Sequence, residues 1–115
     1  MQDNINSIER TILELHKREK AYSEAVAAMV EAETDYRRKR AMIYLNADGT
    51  IADRNAQADI ECWEQHKSKI AAEATLALTK ALLEDARAVL SARQSILSAQ
   101  SKTNLAIDFY STKQI

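Results

Sequence analysis

The residues best equipped for chemistry sit in one short run, Arg37-Arg38-Lys39-Arg40, with Tyr36 before it and Tyr44 four residues after. Guanidinium and ammonium groups suit phosphate oxygens, and aromatic rings beside them can stack on planar bases. On a helix, four successive side chains point about 100° apart, so these cations encircle the axis instead of forming one stripe. Glu31, Glu33 and Asp35 come just before and could neutralise them. Three further cations extend the candidate set. Arg54 follows the only glycine-containing stretch, and Arg93 and Lys102 lie in a Ser-, Gln-, Thr- and Asn-rich stretch from Ser91 to Asn104.

Other chemistry has no foothold. There is no glycine-rich phosphate loop, no Ser-His-Asp or Cys-His pairing with usable geometry, and no cluster of metal ligands. Cys62 and His66 are four apart and share a helix face, but two ligands do not make a metal site. His16 is isolated. Asn46-Ala47-Asp48-Gly49 has the opening of a calcium loop without its remaining ligands or terminal Glu. The reading is a non-enzymatic chain with no cofactor and no metal.

The element that must carry the basic run is a long amphipathic stretch from Ile5 to Ile43. Ile5, Ile8, Ile12, Leu15, Tyr22, Val26, Met29, Tyr36 and Ile43 recur at steps of three and four, the seam spacing of a helix packed along another helix. Glu19, Glu33 and Arg40 interrupt that seam. Arg40 therefore calls for an acidic partner on the facing helix or for a ligand. At 1.5 Å per residue the stretch would be ~60 Å long, and it needs a companion of similar length.

The companion is the second half of the chain. Asn46-Ala47-Asp48-Gly49-Thr50 reads as a turn, and Thr50 with Asp53 has capping-box spacing. The pattern predicts an all-α fold: one antiparallel, coiled-coil-like helical hairpin spanning residues 1–115. Its parts are a helix over ~3–46, a turn at 46–50, a helix over ~51–102 and a short tail over 103–115. In that tail Leu105, Ile107, Phe109 and Tyr110 would dock on the body or on a neighbour. The return helix is apolar on more sides than one partner can cover, which predicts a homo-oligomer with Leu76, Leu83, Leu90 and Leu97 at its interface.

The totals agree with that picture. The chain has 115 residues, one glycine and no proline, a composition that rarely interrupts helices. A net charge of −1 excludes a globally basic nucleic-acid binder while permitting a local patch. The lone cysteine, Cys62, allows no intrachain disulfide and points to a reducing compartment. The first residues, Met1-Gln2-Asp3-Asn4, carry no signal-like pattern, and no window has the ~20 apolar residues of a membrane span. The expectation is a cytoplasmic protein.

In layout the sequence resembles phage recombination mediators of the UvsY type. A long N-terminal helix ends in a basic-x-basic pattern with an aromatic soon after, here Arg38-Lys39-Arg40 and Tyr44. A glycine-containing turn follows, then a return helix with Arg54 near its start and a Ser/Arg-bearing end from Ser91 to Ser101. The resemblance implies ring-like assembly, loading of a recombinase on single-stranded DNA, and DNA contacts by Arg38 and Arg40. It also implies the cytoplasm of an infected host cell.

Three functional readings follow. The first is an oligomeric single-stranded DNA-binding mediator using Arg37, Arg38, Lys39, Arg40, Tyr44, Arg54, Arg93 and Lys102. The second is a protein–protein module, such as a phage-encoded inhibitor of a host defence complex or an assembly chaperone. The third is a purely structural coiled coil.

Overall fold

The computed structural model describes residues 2–113, with side chains through residue 107. The fold is all-α: α1 spans Gln2–Asn46, α2 Ile51–Glu61 and α3 Trp63–Lys113, with no strand among the described residues. α1 runs outward, and α2 and α3 return antiparallel to it as a helical hairpin. Its contacts group into two units. One joins Met1–Glu19 to Ala81–Ile115, and the other is Lys20–Lys80 with the turn at its end.

The turn forms as its residues dictate. Gly49 has φ +103°, a conformation that side chains resist. Thr50 caps α2: its hydroxyl accepts from the Asp53 amide at 3.2 Å, and its own amide donates to the Asp53 carboxylate at 3.1 Å. Both orphan amides are thereby satisfied. Ala47 is buried beneath the turn.

The return segment differs from the expected single helix over ~51–102. It is parted at Cys62, which has φ −95° and ψ 11°. The ladder survives on both sides, since the Cys62 amide donates to the Ala58 carbonyl and the His66 amide donates to the Cys62 carbonyl. Ala58 and Cys62 are both fully buried, so small side chains let α2 approach α1 closely at this point.

The helix also continues through the expected break at Lys102-Thr103-Asn104, as far as Lys113. Nothing there forces a stop, because no Pro or Gly is present and the Thr103 hydroxyl donates back to the Ala99 carbonyl. Leu105 and Ile107 stand exposed on it and do not dock on the chain's own body. The side chains of Phe109 and Tyr110 lie outside the described residues.

The core is thin. Among the described residues the buried apolar side chains are Ala25, Ala47, Ala58, Cys62, Leu83 and Ala86, with Thr11 as a buried hydroxyl. The seam of α1 passes through Ala25 and Met29, and Val26 moves to the flank at 37% exposure. A straight helix turns 100° per residue and drifts off a strict seven-residue repeat, which explains the shift. Of the four leucines expected at an oligomer interface, Leu83 is buried within the chain, and Leu76, Leu90 and Leu97 are half-buried.

Candidate nucleic-acid interface

α1 carries the basic run near the turn, and the hairpin divides it between two sides. Residues 38 and 40 differ by about 200° around the helix, so Arg38 and Arg40 cannot share a groove. Arg38 and Lys39 line one groove of 660 Å³ with Asp35, Glu61 and Glu64 among its other walls. Arg37 and Arg40 line another, of 480 Å³, with Tyr36, Ala41, Tyr44, Leu45 and Asn55.

Arg40 is largely occupied. Its Nη2 donates to Asp59 Oδ1 and to Asn55 Oδ1, both at 3.1 Å, and its Nε donates to Asp59 at 3.2 Å. The hydrogen bonds it donates to Asp59 raise its pKa above the ordinary guanidinium value, opposed in part by desolvation. The seam position that looked anomalous in the sequence is thus an ion pair across the hairpin. The acidic partner on the facing helix is Asp59. Folding the chain about Gly49 places Asp59 opposite Arg40, and that symmetry was the available signal. Arg40 Nη1 makes no hydrogen bond among the described residues.

Arg37 bonds Glu33 one turn earlier at 2.6 Å, yet its side chain stays 75% exposed. Exposed pairs of this kind contribute little and are easily exchanged for a phosphate. Arg38 and Lys39 take part in no ion pair among the described residues. Arg54 lies 5.8 Å from the centroid of the Tyr44 ring and is not itself part of the groove wall. It therefore backs Tyr44 by a cation–π contact, although its Nε is buried without a hydrogen-bond partner.

The remaining expected residues lie elsewhere. Arg93, in the other unit, ties α3 to α1: its Nη1 donates to the Ser7 carbonyl at 3.0 Å, to the Thr11 hydroxyl at 2.8 Å, and to the Ser7 hydroxyl. It is a structural clamp rather than a surface cation. Lys102 is exposed and belongs to that same unit. Sequence reasoning missed Ala41 and Leu45, on the same side of α1, and Asn55, which enters the groove only because the turn brings α2 beside α1.

No family model, curated protein or solved structure matches this chain. Its groove must speak through its own chemistry. Two tyrosines, two arginines and an asparagine line it, and no carboxylate does. That set offers stacking surfaces, cations and a neutral amide, the combination used to hold unpaired nucleotides. No three His, Cys, Asp or Glu side chains converge on a metal position among the described residues. No helix of the described residues is long and apolar enough to cross a membrane.

Proposed function

We propose that the chain is a non-enzymatic, self-associating binder of single-stranded DNA, acting in the manner of a recombination mediator in the cytoplasm of a phage-infected cell. One observation supports this above others: the groove between Tyr36 and Tyr44 combines ring faces with Arg37 and Arg40, without a carboxylate in its wall. Phosphates would meet the arginines, and a base would stack on Tyr44 with Arg54 behind it. A recombinase is the protein partner that the sequence resemblance suggests. Assembly would multiply a weak site despite a net charge of −1 per chain.

The test is binding of a labelled single-stranded oligonucleotide across a salt series. Affinity should fall with a log–log slope of ~0.7 per phosphate contact. Tyr44→Ala should weaken binding ~10-fold or more, as expected for one lost stacking contact. Arg37→Ala should weaken it more than Arg38→Ala, because Arg38 lies in the other groove. An absence of binding even at ~50 mM salt, where screening is weak, would overturn the reading. The second reading, a protein-binding module, would then take its place. It is favoured by exposed bulky side chains such as Trp63 and Ile70.

A further inference from the structure

Stacking and phosphate contacts leave one polar side chain of the tyrosine groove unused, Asn55 of α2. A carboxamide carries an acceptor and a donor, and which end faces a ligand depends on what holds the other end. Here Arg40 decides. A guanidinium only donates, so the Asn55 atom that meets Arg40 Nη2 at 3.1 Å is the acceptor Oδ1. Arg40 is itself held by Asp59, through Nε at 3.2 Å and Nη2 at 3.1 Å. The amide therefore cannot turn over without losing its hydrogen bond. Its other end, Nδ2, makes no hydrogen bond among the described residues and is not buried. Asn55 presents a donor.

A second donor accompanies it. Arg40 Nη1 and Asn55 Nδ2 flank the hydrogen bond that joins the two side chains, one at each end. Arg37 also only donates, the tyrosine hydroxyls can do either, and no carboxylate lines the groove. Bases differ in how they answer paired donors. Cytosine carries two adjacent acceptors, O2 and N3, and guanine carries O6 and N7. In thymine and uracil the N3–H donor separates O2 from O4, and in adenine the amino group separates N1 from N7.

We infer that Asn55 is the specificity-determining residue of this groove, selecting with Arg40 a base that offers two adjacent acceptors, cytosine or guanine. The inference rests on the single-stranded DNA reading proposed above and adds the class of base held there. Tyr44 takes the base by its face, which leaves the edge for Asn55 Nδ2 and Arg40 Nη1. Phosphate then falls to Arg37, whose contact carries no base information. Uracil or thymine in the same place sets its N3–H against a donor, and one hydrogen bond is lost.

The test compares labelled oligomers of deoxycytidine and deoxyuridine of equal length, above neutral pH so that cytosine N3 stays unprotonated. These pyrimidines have the same size and no methyl group, and they differ only at N3 and at the group on C4. The wild-type chain should bind the deoxycytidine oligomer about 3- to 10-fold more tightly, the worth of one hydrogen bond. Asn55→Asp keeps an oxygen for Arg40 and turns the free end into an acceptor. It should weaken binding to both oligomers and reverse the preference, because a carboxylate accepts from the uracil N3–H. Helical circular dichroism checks that the variant folds, and the wild-type ratio stands as a test without it. If neither oligomer binds the wild-type chain, the DNA reading fails and this inference with it. If both bind but equally, or deoxyuridine binds better, the inference alone is overturned. A folded Asn55→Asp chain that still prefers deoxycytidine would overturn it too.

Discussion

At the scale of single residues, Arg40 and Asp59 decide how the basic run is used. Their hydrogen bonds hold the guanidinium across the hairpin, so this cation supports the fold before it can serve a ligand. Asp59 is 64% exposed, which keeps the pair's contribution modest. A double-mutant cycle of Arg40→Ala and Asp59→Ala should give a coupling energy of about 0.5–1 kcal/mol in thermal or urea unfolding. Arg40→Ala should change stability more than oligonucleotide affinity, the reverse of Tyr44→Ala; equal effects of both on affinity alone would contradict this assignment. The sequence displayed the conflict, an arginine on an apolar seam, but not its resolution. Which acid answers it depends on how many residues the turn consumes, and that is known only once the turn is built.

At the scale of elements, the legible parts were those written in local chemistry. The heptad-like steps from Ile5 to Ile43 specify α1, and Gly49, Thr50 and Asp53 specify the turn and the next helix start. The parting at Cys62 was hidden, because nothing around it is a helix breaker and the full burial of Cys62 shows only in the fold. The side chosen by each cation was hidden too, since it depends on where the seam of α1 settles. Gly49 offers the sharpest test of this level. A Cβ there would meet Asp53 Oδ2 at 2.8 Å, and the φ of +103° would be strained as well. Gly49→Ala should therefore cost more than ~1 kcal/mol, through backbone strain and disruption of the cap together. Thr50→Ala should cost about 1 kcal/mol through the cap alone. Chemical denaturation of the two variants would rank them, and a Gly49→Ala chain as stable as wild type would refute the account of the turn.

At the scale of the whole molecule, the buried apolar set among the described residues is mostly alanine, with Leu83 its one bulky member. Fully burying a leucine contributes only ~1.5–3 kcal/mol, so a single chain holds its hairpin with little in reserve. The proposed self-association should add to this, and stability should then depend on protein concentration by mass action. The thermal midpoint should rise by several degrees over a hundredfold increase in concentration, followed by circular dichroism at 222 nm; a midpoint independent of concentration would mean that the hairpin stands alone. The only tryptophan, Trp63, lies 55% exposed on the face that carries His66. The protein thus carries its own optical label: the emission colour of one indole reports whether that face is wet or covered, and dilution alone can be watched in a fluorimeter without attaching a dye.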